Sequence, residues 1–482
     1  MHLNRIVSKS MAGLALVALM SACKVAAPAP LPATPALPAF GAGTDSTSLS
    51  DLGWQEFFKD PALIALIDTA LQRNPDMLAA AQQIEIARAN VQMAQGSLLP
   101  QIAGMGAVGV ERFGKYTMTG VGNYDTNLSP NISDDQKVSA PLVPDYFLGL
   151  RSSWEIDLWG KLRNSKKAAT ARFLASEKGR QLVITSLIAD VAHLYYHLLA
   201  LDVELETLNR NIELQQHGVE LIKIQKEGGR ATELAVQQFT AQLLNTRSLK
   251  VMKEQEIIGV ENQLNRLLGR FPQPIARGRS LYEQELPEEA RAGVASEMLR
   301  RRPDIRMAEL ELVAAKVDVE AARAAFLPSL TISPYVGFSA FNASLLFQPA
   351  SLAYGLLSGI SAPLLNRNQL KATYRSSDAN RIRAFAAYQN SVLTGVQEVM
   401  TSLNEIENYR KVAALKEEEV DVLHSAVETS NDLFAAGYAT YLEIIMAQRS
   451  VLEAELNLTN NHESILQSTV RLYRALGGGW QE

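Results

Sequence analysis

Arg73-Asn74-Pro75-Asp76 opens an alanine-rich run that closes at Leu99-Pro100; Arg301-Arg302-Pro303-Asp304 opens another that closes at Leu327-Pro328. Both pairs of landmarks stand 228 positions apart, with no gap between them. Further along, Gly229-Arg230-Ala231-Thr232 corresponds to Gly437-Tyr438-Ala439-Thr440, and Leu268-Gly269 to Leu476-Gly477, both at offset 208. The offset falls by 20 because the intervening segment is shorter in the second copy. A solenoid needs at least three units of roughly 20–50 residues. This chain is written twice.

Each copy carries the same order of elements. The alanine-rich runs, 76–97 and 304–325, read as helices stopped by a proline that cannot continue them. A segment rich in Gly, Ser, Thr and aromatics follows. There Leu330, Ile332, Pro334, Val336 and Phe338 alternate with Thr331, Ser333, Tyr335 and Gly337, and Tyr146, Leu148, Leu150, Ser152 and Trp154 alternate with Phe147, Gly149 and Arg151. Period two with one apolar face predicts strands, about 101–117 with 144–154 and 329–338 with 352–362, as two hairpins. The period then changes. Ile184, Leu187, Val191, Leu194, Leu198, Leu201, Leu205, Leu208 and Ile212 fall at alternating spacings of three and four, and Val219 and Ile222 resume the register after Gln215. This heptad seam predicts a helix over 163–228, which at about 1.5 Å per residue extends roughly 100 Å. Val392, Val396, Val399, Leu403 and Ile406 begin the corresponding seam of the second copy, continued after a shift by Val420, Leu423 and Val427. Each long helix ends at a glycine turn, and a second helix returns over 232–268 or 440–476.

Four strands cannot close a membrane barrel, the smallest of which have about eight. An open sheet in lipid leaves its edges unsatisfied, and a 100 Å hairpin cannot bury its seam alone. Pooling strands and hairpins between copies of the chain answers both problems. Composition fits: 47% apolar, 20% charged, a mean hydropathy of -0.03 and no run of 18 apolar residues for a helical span. Alternating strands dilute each lipid-facing residue with a lumen-facing one. A net charge of -5 without a dominant basic cluster argues against a nucleic-acid partner.

The amino terminus reads as an address. Arg5 and Lys9 precede an apolar core from Met11 to Met20, too short to span a bilayer but suited to a signal peptide. Leu19-Met20-Ser21-Ala22-Cys23 resembles a lipoprotein cleavage box, with Met20 where the pattern usually has a branched aliphatic residue. Cys23 is the only cysteine, so no disulfide framework or cysteine-based zinc site exists, and lipidation is its expected role. Removing residues 1–22 leaves 44 basic against 51 acidic side chains, or -7. Five prolines between 28 and 38 favour an extended spacer.

Gly53-Trp54-Gln55-Glu56-Phe57-Phe58, Asp60-Pro61, Asn74-Pro75-Asp76, the two Leu-Pro helix ends, Asp157-Leu158-Trp159-Gly160-Lys161 and the two turn-plus-helix blocks carry a resemblance. In this order and spacing, behind a lipobox, the chain resembles the TolC family of outer-membrane efflux channels. It is closest to the lipidated, NodT-like branch of multidrug outer-membrane factors. The resemblance implies a mainly α fold with a β membrane part: a homotrimeric transmembrane β-barrel, four strands per chain, continuing into a periplasmic α-helical barrel. It also implies a periplasmic adaptor (membrane fusion) protein and an inner-membrane, proton-driven pump as partners, with the channel as a passive exit duct for small toxic compounds. The layout expected is a signal peptide over 1–22, a lipidated N-terminus and linker over 23–60, a first repeat over 61–270, an inter-repeat linker over 271–290 and a second repeat over 291–482.

Within that family, acidic residues after the second turn ring the periplasmic constriction. Aligning on Gly437 places Glu443 at one acidic position, while Met446 occupies the other. Three like charges in a poorly hydrated ring should raise some of their pKa values; a solvated helix charge is the plainer role. Tyr438 and Tyr441 are candidates to plug the closed mouth or to pack between hairpins. Gly229 and Gly437 are expected to end helices at positive φ, and the resemblance implies that these turns also meet the adaptor.

Enzymatic motifs are lacking. His193 and His197 stand at i and i+4, but no glutamate follows His193, so the zinc-protease pattern fails. No phosphate-binding Gly-x-x-x-x-Gly-Lys-Ser/Thr loop exists, and no cofactor or metal is expected. Gly477-Gly478-Gly479 reads as a flexible tail, and Arg300-Arg301-Arg302 as a helix-end cluster favoured by the dipole. Two other roles fit parts of the pattern: a similar duct for secreted proteins or metal ions, or a coiled-coil scaffold lipoprotein without a pore.

Overall fold

A computed structural model describes residues 27–32, 48–138, 142–287, 295–363 and 367–480. The signal peptide and Cys23 lie outside the described residues. Helices α1 (Trp54–Phe57), α2 (Pro61–Arg73) and α3 (Pro75–Gly96) lead to strand β1 (Gln101–Glu111), helix α4 (Met118–Asn127) and strand β2 (Val143–Ile156). The long helix α5 (Lys161–Glu227) and its return α6 (Glu233–Leu267) follow. Then come α7 (Ala295–Arg301), α8 (Pro303–Ala324), β3 (Ser329–Ala340), β4 (Leu352–Ser361), α9 (Asn368–Ala435) and α10 (Tyr441–Ala475). The chain forms two compact units.

One unit contains Ala87–Phe173 and Leu312–Ala384, and with them all four strands. They form one antiparallel sheet in the order β1-β2-β3-β4, so β1 and β4 are paired on one side only among the described residues. Register assigns the faces, because directly opposed residues in antiparallel strands share a side. Val108↔Tyr146, Gly106↔Leu148↔Phe338, Leu150↔Val336↔Tyr354, Trp154↔Ile332 and Leu330↔Ile360 make one apolar face. Val108, Leu150, Tyr354 and Ile360 on it are exposed, at 73%, 51%, 78% and 75%. Gln101↔Ser153, Gly109↔Asp145, Arg151↔Tyr335 and Glu155↔Thr331 make the other face, which is largely polar. In a water-soluble domain the apolar side would be covered. Here it is presented outward.

The first strand is shorter than its expected span of 101–117. Alternation ends at Glu111, and Thr117 begins α4 instead, its hydroxyl accepting from the Gly120 N–H at 3.1 Å. The described part of the proline-rich linker is not a bare spacer either. Arg381 donates to the Ala29 carbonyl, and the Ala29 N–H donates to Asp378 at 3.3 Å.

The other unit contains Pro32–Ile86, Leu174–Glu311 and Phe385–Glu482. Its main core joins Phe57, Leu63 and Ile67 to the α5 seam (Leu187, Val191, Leu198, Leu201), to Leu264 of α6, to Val392 and Val399 of α9 and to Leu472 of α10. Phe57 stacks on Tyr473 with centroids 4.0 Å apart. One window of α5 is apolar enough by length and composition to cross a bilayer, but 56% of it is buried inside the chain. The seam's apolarity is therefore spent on packing. Gln215 occupies a seam position at 1% exposure, and neither end of its amide has a partner among the described residues.

In this unit one sequence expectation is corrected and another is extended. Gly477, Gly478 and Gly479 are buried rather than a flexible tail. Gly477 and Gly479 take φ of 87° and 101°, and Trp480 Nε1–H donates to the Arg301 carbonyl at 3.1 Å, fastening the end of the chain. Arg302 is more than a helix-end charge. Only 6% exposed, it donates to Asp304 (2.7 Å), Glu398 (2.6 Å) and the Ala475 carbonyl (3.0 Å). Arg301 pairs with Asp51, and Arg300 with Glu297.

Candidate functional site

The two glycine turns are built alike. At the end of α5, Arg230 N–H donates to the Gln225 carbonyl (2.8 Å) and Gly229 N–H to Lys226 (2.9 Å). After α9, Tyr438 N–H donates to Leu433 (2.8 Å) and Gly437 N–H to Phe434 (3.1 Å). Both are Schellman closures, which satisfy otherwise orphaned carbonyls by sending the next residue through positive φ. Gly229 and Gly437 have φ of 73° and 80°. A Cβ at either would meet nothing within 4 Å, so conformation alone, not crowding, asks for glycine.

The returning helices are capped by threonine. Thr232 accepts from the Ala235 N–H at 3.2 Å and Thr440 from the Leu442 N–H at 3.3 Å. Glu443 completes a capping box: its carboxylate accepts from the Thr440 N–H at 2.9 Å and from the Thr440 hydroxyl. Those bonds, the Thr440 hydroxyl first, hold its carboxyl below the usual carboxylate range. Within one protomer the local force on Glu443 thus opposes the upward shift expected of a crowded ring. At the first turn Lys226 pairs with Glu233 across the gap.

Tertiary packing brings the two turns to one place. Val219 and Ile222 of α5, Ala235, Phe239 and Leu243 of α6 and Ile444 of α10 form a separate apolar cluster, with Phe434 and Tyr441 packed against it. The two tyrosines part company here. Tyr441 joins the cluster, whereas Tyr438 stands 86% exposed beside the turn, and Met446 is 55% exposed. Glu443 is exposed as well.

Away from the turns, sequence reading missed two polar fasteners. Asp60 caps α2 and is 2% exposed. Its carboxylate accepts from the Tyr195 hydroxyl (2.7 Å), Gln284 Nε2 (2.9 Å), Ala62 N–H (2.9 Å) and Arg279 N–H (3.2 Å). Burial opposes the charge, but these donors outweigh it and keep the carboxyl below its ordinary pKa. Asp60-Pro61 is a local helix-start pattern, whereas the partners that bury its carboxylate stand 135, 219 and 224 residues away. His193 and His197 have separate environments rather than a shared ligand: His197 Nδ1 bonds Glu463 at 2.9 Å, and its Nε2 faces Glu256 at 3.4 Å.

A long helical hairpin written twice, ending in paired turns, and a sheet offering its apolar face outward are matched by known proteins. The family described as outer membrane efflux protein matches residues 66–270 and again 294–478. The chain belongs to that family. Among curated relatives of this efflux-family member, the pyoverdine export outer membrane protein OpmQ of Pseudomonas putida is 30% identical over 434 residues, covering 90% of this chain and 89% of its own. The probable outer membrane lipoprotein SilC of Salmonella typhimurium is 26% identical over 456 residues, 94% of each. Among solved structures, the outer-membrane channel OprN superposes with a TM-score of 0.82 at 25% identity, over 94% of this chain and 99% of that one. The protein is accordingly an outer-membrane component of an efflux system.

Proposed function

We propose that three copies of this chain assemble into a passive exit duct for small toxic compounds, lipid-anchored at Cys23. The observation that carries this reading is the four-stranded sheet with one apolar face, one polar face and two open edges. Lipid tolerates no unpaired strand edge, so the sheet must close with others. Three chains supply twelve strands, an even number within the range of outer-membrane barrels. The apolar face then meets lipid and the polar face lines water. The helical hairpins of both repeats (61–270 and 291–482) pool into a periplasmic tube. The joined glycine turns form its mouth, where Gly229 and Gly437 meet the adaptor and Tyr438 and Glu443 line the gate, with Tyr441 packed behind them.

In this reading the chain catalyses nothing. A proton-driven inner-membrane pump, reached through the adaptor, supplies both energy and cargo choice. The lipoprotein relative and the Leu19–Cys23 box support the anchor. Purified protein in planar bilayers tests the pore: discrete conductance steps are expected, and their absence from correctly folded, trimeric material would sink the reading in favour of a scaffold. Mass spectrometry of the mature chain should find Cys23 acylated.

A further inference from the structure

Arg151 sits at the middle of β2, on the polar face of the sheet. Its guanidinium Cζ lies 4.7 Å from the centroid of the Phe147 ring and 6.0 Å from that of Tyr335, its partner across the β2–β3 ladder. The two rings meet edge to face at 6.3 Å. Glycines leave room for both rings. A Cβ on Gly337 would come within 3.0 Å of Phe147 Cζ, and one on Gly355 within 2.6 Å of Tyr335 Cε1. Phe147 is only 7% exposed, although the sheet face it occupies is open, while Arg151 above it remains exposed.

The charges on this face are unevenly placed. Glu111 and Asp145 stand toward one end of the strands, and Glu155 toward the other, tied to Lys161 at 2.6 Å. Asp145 is six residues from Arg151, about 20 Å along a strand. Arg151 is the one cation on the polar face among the described strand residues, and it has no ion-pair partner among the described residues. A guanidinium held by two rings keeps its charge and its donors directed to whatever fills the space above them.

We infer that Arg151, seated on the Phe147–Tyr335 platform, is an anion-attracting selectivity residue of the barrel lumen, opposite in sign to the acidic mouth. The inference rests on the trimeric pore proposed above, in which three copies of Arg151 form a collar. Its ligands are small anions and the carboxylate groups of cargo, which guanidinium takes in a two-point grip. An aromatic-seated arginine serving only to pack the sheet would leave ion flow unchanged, which separates the two roles.

The test is the reversal potential of the full-length protein in a planar bilayer under a potassium chloride gradient. Wild type is compared with Arg151→Gln, Arg151→Met and Arg151→Lys, each checked for trimer assembly. For three charges at a lumen radius on the order of 10 Å in 0.1 M salt, removing the charge should lower the chloride-to-potassium permeability ratio about threefold. Arg151→Met keeps an unbranched side chain on the rings and supplies the reading should the glutamine variant not assemble. Arg151→Lys should stay near wild type. Open channels with an unchanged ratio in the neutral variants overturn the assignment. So does a lysine variant that loses the preference as fully as they do, since packing would then be the cause. Wild-type protein that forms no channel at all overturns the pore itself, a different failure from an open pore indifferent to Arg151.

Discussion

At the scale of single residues, Glu443 and Asp60 show how one carboxylate type serves two ends. Glu443 is exposed, its geometry is set by Thr440, and the role proposed for it is electrostatic. Glutamine also serves at the third position of a capping box, so Glu443→Gln should leave the melting temperature nearly unchanged while weakening cation preference in single-channel recordings. Identical traces from the two proteins would remove Glu443 from the gate. Thr440→Ala should instead cost about 1 kcal/mol of stability through the lost cap, read as a lower urea midpoint. Asp60 is structural. Tyr195→Phe removes one donor to it and the acceptor of the Gly278 N–H (2.9 Å), so a loss of roughly 1–3 kcal/mol is expected in urea unfolding. The folded pKa of Asp60 is depressed, so its contribution is complete above the ordinary value of 3.8 and is lost as pH falls through the folded pKa. Asp60→Asn should therefore flatten the acid limb of the stability profile below about pH 4.

Among the elements, the helices were the most legible, because their punctuation is local. Pro75, Pro303, the two threonine caps and the glycine turns act through φ and missing N–H groups, and the observed ends fall within one or two residues of those expected. The first strand ran short because its alternation stops at Glu111; a turn segment follows, and Thr117 then caps α4. Within α5, His193 and His197 pull stability in opposite directions with pH. His193 is pushed down to about 4, first by burial and then by Arg471 and Arg474, so its favourable neutral form is present above 6.5 and is lost as pH falls toward 4. His197 is raised, chiefly by its bond to Glu463, so its contribution is present below 6.5 and fades as pH climbs through the folded pKa. Lys253 adds an adjacent cation that bonds Glu256 at 3.1 Å and tempers the negative charge facing His197. Urea midpoints between pH 4 and 8 should show His193→Gln improving relative to wild type at the acid end. His197→Gln should lose most there and approach wild type at pH 8. Parallel profiles for both variants would contradict this opposition.

For the whole molecule, the question is which surface meets lipid. Val108 lies on the apolar face of β1 and Ser153, on β2, on the polar one. An arginine on the lipid side near the bilayer middle costs about 2–4 kcal/mol. In the assembly proposed above, Val108→Arg should therefore reduce the yield of assembled trimer in outer-membrane fractions, whereas Ser153→Arg should assemble and change conductance. Equal assembly of the two would invalidate the assignment of faces. Much of this architecture can be read before any coordinates, because duplication, heptads, alternation and turn chemistry depend on residues close together in the chain. The sequence by itself determined the long helices and the spans of three of the four strands, that the sheet has two unlike faces, and which glycines turn the hairpins. Only the tertiary structure decided that both turns rest on one apolar cluster, that Tyr441 packs while Tyr438 is left in solvent, that Asp60 clasps Tyr195 and Gln284, and that Arg151 rests on Phe147 and Tyr335. Those pairings join residues up to hundreds of positions apart. Their energies depend on distance and solvent exclusion in three dimensions, quantities that spacing along a chain does not encode.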